Sequence, residues 1–175
     1  MNSGRKKSAL SYIPGLTNNA VLQLIMFSGV AFVMLGLSWG VMQIVYEGDN
    51  TNFDQYFMAN IALPPLAAFK AHWWTIFTYG WFSFTGFFEL LSNMLWLYFF
   101  GSLVQSLVGH RQVIPLFAYS LLVGGAFYLL AQLLPGNWGK VPAITGLLGP
   151  RAGLTGMAAA AVTLSPQYRI YITET

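Results

Sequence analysis

Two polar side chains in an otherwise oily stretch have the types and spacing to do chemistry. In FTGFFELLSNMLWLYFFG, residues 84 to 101, Glu89 is the only charged residue and Asn93 the only amide. Four positions apart, they project from one face of a helix, with Ser92 and Trp96 beside them. A carboxylate so placed could serve as acid, base or counter-ion, and an amide could donate to or accept from a reacting oxygen. An ionisable group at membrane depth costs roughly 3 kcal/mol on insertion scales, so this face is expected to turn inward, toward a partner or a water-filled cavity. The plainer reading is a polar pair that joins helices. Other chemistries find little support. There is no cysteine, hence no thiol nucleophile, thiolate metal site or disulfide. His72 and His110 fall in different loops without a partner ligand, so no metal site and no cofactor are expected.

The elements that must carry Glu89 and Asn93 are membrane helices. Of 175 residues, 56% are hydrophobic and only 7% charged, which is outside the soluble range. Aromatics at 17% suit interfacial belts, and a net charge of +3, dispersed along the chain, does not suggest nucleic acid. The composition therefore implies an all-α, polytopic membrane protein in contact with the lipid bilayer. Residues 1–20 are polar, with Arg5, Lys6 and Lys7 clustered, and form an N-terminal segment. Apolar runs give four expected spans, at about 21–46, 84–107, 113–134 and 151–165. The first could be confused with a signal peptide, but it is too long for one and no small-x-small site follows it. Tyr56 to Phe84 is apolar yet broken by Pro64, Pro65, Lys70, His72 and Gly80. It reads as a loop of short helices lying in the interface. The fourth span is nearly all small residues, suited to close packing as a central helix. With the N-terminus cytoplasmic, Arg5, Lys6, Lys7, Arg111 and Arg169 lie inside, Lys70 and Lys140 lie outside, and Arg151 is left within the membrane.

At residues 73 to 101, WWTIFTYGWFSFTGFFELLSNMLWLYFFG resembles the second-helix signature of the rhomboid intramembrane serine proteases. The GHRQ turn at 109–112, the Gly-rich third span and the Ala/Gly-rich fourth follow the rhomboid order, and the resemblance covers roughly residues 56–172. It implies a rhomboid-like helix bundle over residues 21–172, with 173–175 as the C-terminal end. The catalytic positions depart from the family pattern. Where the family has His, a second His five residues later and Asn four beyond it, this chain has Phe84, Glu89 and Asn93. The nucleophile of the family's Gly-x-Ser-Gly motif maps either to Arg151 in GPRAG or to Thr155 in GLTG. Arg151 leaves about 21 Å of helix before the Ser-Pro-Gln-Tyr end, and Thr155 about 15 Å, too deep for water arriving from outside. Arg151 is the favoured register. The general base comes from a sixth helix in the family, whereas this sequence stops at Thr175. It is expected to be truncated relative to the family or to be part of a longer chain.

An arginine cannot be a nucleophile's base, and a carboxylate repels a developing oxyanion. The resemblance and its departures imply a catalytically inactive rhomboid-like protein, a binding or structural subunit for other integral membrane proteins within a larger complex. Two alternatives stand beside it: an active serine/threonine protease completed by residues beyond Thr175, and a transporter or channel accessory subunit. The expected location is the bacterial inner membrane. In the family fold the second-helix histidine faces the fourth-helix serine, so Glu89 and Arg151 are expected to form a buried ion pair, with Asn93 able to accept from the guanidinium. The plainer alternative has Arg151 reaching to the outer surface beside a protonated Glu89.

Overall fold

The computed structural model describes residues 19–47, 51–83, 86–134 and 146–164. Among them the chain is helical, with no strand beyond the single bridge Leu63–Leu147. Four long helices organise it: α1 (Ala20–Val45), α2 (Phe87–Val108), α3 (His110–Ala131) and α4 (Arg151–Leu164). The first three are long and apolar enough to cross a bilayer. With its 14 residues α4 is about 21 Å long, short of the roughly 30 Å hydrocarbon core. This is an all-α integral membrane protein. Large side chains on the outer faces, among them Val33, Met34, Leu37 and Ile44 on α1, point away from the protein, as lipid requires.

The first helix begins where its free backbone donors find partners. Asn19 caps α1 by accepting from the Leu22 N–H at 3.1 Å, and Gln105 of α2 accepts from the Ala20 N–H at 3.1 Å. That second bond, with Val21 against Gly101 and Gly29 against Met94, lays α1 antiparallel along α2. Between α2 and α3 only Gly109 intervenes. Its φ of +87° is a conformation other residues rarely adopt, and it reverses the chain in a single step. The helix that carries the expected third span runs from His110 to Ala131. The GHRQ turn implied by the resemblance is thus shorter in the structure: one glycine suffices, and His110, Arg111 and Gln112 form the helix's first turn. Pro115 sits near that start, where a missing N–H is cheap.

The fourth helix is wedged between α2 and α3. Against α3 it runs antiparallel, Ala152 over Gly124 and Gly156 over Ser120, with so little separation that a Cβ on either glycine would collide with the opposing side chain. Its other buried edge, Leu154, Met157 and Ala161, joins Leu97, Val104, Phe117 and Leu121 in the core. Gly153 and Gly156 pack against Phe117 and Ser120 of α3, while Thr155, Ala159 and Val162 face outward.

The interfacial segment comprises a helical stretch from Thr51 to Ile61, with a wide π turn at Asp54–Met58, and single turns at Leu66–Phe69 and Thr75–Thr78. Its free polar groups are tied to the bundle. Gln132 at the end of α3 accepts from the Leu66 N–H at 2.8 Å, and the Tyr79 hydroxyl donates to the Leu121 carbonyl at 2.5 Å. Burial pushes the Tyr79 phenol up to about 12, partly opposed by a hydrogen bond from Gly125, so it remains a neutral donor.

Because Gly156 has no room to grow, Gly156→Leu is expected to lower stability in detergent by about 2 kcal/mol or more, while Ala159→Leu, on the outer face, stays within about 0.5 kcal/mol of the parent. Thermal unfolding of the two variants side by side checks this; equal losses would show that α3 and α4 are not in backbone contact there.

Candidate functional site: a charged groove between two helices

The route to the site runs through the loop. The Tyr79 carbonyl accepts from the Gly149 N–H at 2.9 Å, and Leu63 and Leu147 exchange two backbone hydrogen bonds, at 2.9 and 2.8 Å. These bonds fix residues 146–150 against the loop, and Pro150 then opens α4 by accepting from the Leu154 N–H at 2.9 Å. Arg151 is thereby delivered as the first residue of α4, level with the first turn of α2, where Glu89 sits. The two helices run parallel, since position 89 meets 151 and, further along, Gly101 meets Met157.

The structure brings the two charges together: Arg151 Nη2 donates to Glu89 Oε1 at 2.9 Å. The carboxylate in the first turn of α2 is favoured by that helix's dipole, whereas the guanidinium at the start of α4 is opposed by its own, a cost that pairing with the carboxylate offsets. The expected burial differs. Within the chain the Glu89 side chain is 22% exposed and that of Arg151 74%, because the groove they flank opens sideways. Asn93 is also placed differently from expectation. It makes no hydrogen bond to the guanidinium, and its buried Nδ2 has no partner. One turn deeper than Glu89, it lines both the groove and a small cavity of about 10 Å³ shared with Ser28 and Ser83, whose hydroxyl is likewise without a partner. Phe84 lies outside the described residues.

Thr155, the other nucleophile register, lines the groove, but its hydroxyl donates to the Ala152 carbonyl at 2.9 Å. Neither histidine lines the groove; His72 packs edge-on to Trp74 in the loop, and His110 begins α3 beside the Gly109 turn, away from the end of α2 that bears Glu89. Sequence reasoning missed Tyr79, Gln105 and Gln132, which hold the site's supports in place. An amide near the end of an apolar run was the available signal for the last two, whereas Tyr79 looked like one more interfacial aromatic.

A helical membrane bundle whose interfacial loop positions the start of a small-residue helix against a polar face of its neighbour belongs to the class of intramembrane helical proteins with a laterally open polar groove. The Rhomboid domain family matches residues 70–175, well over half of the chain, and the protein belongs to that family. No curated protein matches the chain.

A partly exposed pair couples less strongly than a fully buried one, for which losing one partner costs roughly 3 to 5 kcal/mol. In a double-mutant cycle in detergent, Glu89→Gln and Arg151→Met are expected to show a coupling of about 1 kcal/mol, the double variant recovering part of each single loss. Losses that simply add would show that the two groups do not interact in solution.

Proposed function

We propose that this protein is a catalytically inactive member of the rhomboid family that serves as a binding or structural subunit for other integral membrane proteins. The observation that carries the reading is the Glu89–Arg151 ion pair at the positions where the family has an oxyanion-hole histidine and its nucleophile. A guanidinium offers no lone pair for attack at any accessible pH, and its partner carboxylate places negative charge where a tetrahedral intermediate would need donors. Thr155 does not replace them in this reading, since its hydroxyl donates to a backbone carbonyl and the one carboxylate that shares its groove, Glu89, is paired with Arg151. With catalysis removed, what the fold retains is surface. The interfacial loop and the outward face of α4 are the docking surfaces in this reading. Beside that face, Tyr119, Val123 and Phe127 of α3 wall a groove of about 490 Å³ floored by Gly124, Gly156 and Ala159. Small residues there allow a partner helix to approach closely.

The same reading places the protein in a bacterial inner membrane with four crossings and the N-terminus in the cytoplasm. The orientation in it rests on the distribution of Lys and Arg.

Two experiments test these points. Reconstituted in vesicles with a fluorescent transmembrane substrate, the full chain is expected to release no product above a lipid-only control; cleavage that vanishes in Thr155→Ala would overturn the inactive reading. For topology, cysteines introduced near Lys6, Arg111 and Arg169 should react with a membrane-impermeant reagent only from the cytoplasmic side, and those near Asp49 and Lys140 only from the other. Labelling of the Lys140 site from the cytoplasm would break the four-crossing arrangement.

A further inference from the structure

The groove between α2 and α4 is graded along its length. At the end bearing Arg151 stand two opposite charges; Ser92, Asn93 and Thr155 come next, the Thr155 hydroxyl turned back onto the Ala152 carbonyl; the remaining walls are Trp96, Phe100, Leu154 and Ala158. Its volume, about 560 Å³, is far more than water or a simple ion needs and falls in the range of organic-ligand sites. The ion pair does not exhaust its groups. Arg151 uses one nitrogen, leaving other N–H donors on a side chain that is mostly exposed, and Glu89 uses one oxygen, leaving Oε2. The mouth therefore presents both a free cationic edge and a free anionic edge, and below them a lane of apolar wall.

We propose that this groove holds one phospholipid of the surrounding bilayer, and that the site selects a zwitterionic headgroup with a primary ammonium. The phosphate lies on the Arg151 guanidinium, the ammonium on the Glu89 carboxylate, and an acyl chain follows Trp96, Phe100, Leu154 and Ala158. Charge complementarity makes the choice. A purely anionic headgroup gains Arg151 but meets Glu89, whereas one bearing both signs completes an alternating square of four charges. A primary ammonium also donates hydrogen bonds to the carboxylate, which a trimethylammonium cannot do. Lipid suits the groove better than a protein helix because the polarity runs from charged to apolar in a single direction. The inference rests on the groove and its charges, and holds whether or not the protein cleaves anything.

The test is native mass spectrometry of the delipidated full chain, titrated with phosphatidylethanolamine, phosphatidylcholine and phosphatidylglycerol of identical acyl chains. One phosphatidylethanolamine per chain is expected, retained about tenfold more tightly than either of the others. Glu89→Gln should abolish the preference over phosphatidylglycerol, and Ala158→Phe, which fills the apolar lane and leaves the charges, should remove the bound lipid. Equal retention of all three lipids by the parent protein overturns the proposal without recourse to any variant. So does a phosphatidylethanolamine preference that survives both substitutions, or no retained lipid at all, which would leave the groove to a protein helix.

Discussion

Within a bilayer, lipid chains compete on equal terms with apolar side chains, so helices associate through shape, and the closest approach in this protein sets the geometry of its outer end. Gly156 over Ser120 and Ala152 over Gly124 bring α3 and α4 nearly into backbone contact. That contact fixes the height and rotation of α4. With α3 already held against α2 by the Gly109 turn, α4 has one remaining place, alongside α2 and parallel to it. Arg151 then arrives level with Glu89 as a result of packing elsewhere, and the ion pair between them follows from the helix geometry.

The interfacial loop supplies the second constraint. A segment interrupted by prolines and short turns carries many backbone groups that cannot satisfy one another, and at the membrane surface each needs a partner. Here those partners lie on the parts that must be positioned: Gln132 and the Leu121 carbonyl on α3, and Leu147 and Gly149 just before α4. Tyr79 joins both, using its hydroxyl on α3 and its carbonyl on Gly149. The loop thus orients α4 from outside while the glycines hold it from within.

Much of this was legible in the sequence, because the signals were long. The helices around Glu89 and ahead of Glu47 follow from uninterrupted apolar runs, and the broken character of residues 56–83 follows from its prolines and aromatics. The meeting of positions 89 and 151 could be anticipated only through the family resemblance, since no periodicity relates residues on different helices. Three features were hidden for identifiable reasons. On a helix as uniformly small as α4, composition cannot say which face is inward, and only the structure shows that Gly153 and Gly156 are the positions packed on α3. A polar tetrad after α2 looked like a loop because nothing in Gly109 itself announces a one-residue reversal. Asn93 shares a face with Glu89, yet being a turn deeper separates it from the guanidinium and leaves it beside Ser83 and Ser28.

That one-residue reversal also bears on how the protein reaches the membrane. With only Gly109 between Val108 and His110, α2 and α3 have no intervening loop that could wait in water while one of them is already in lipid. They must leave the insertion machinery together, as a helical hairpin, and the relevant hydrophobicity is that of the two helices summed. Glu89 would weigh heavily on α2 taken singly. Carried in with α3, it is set against the apolar side chains of both helices.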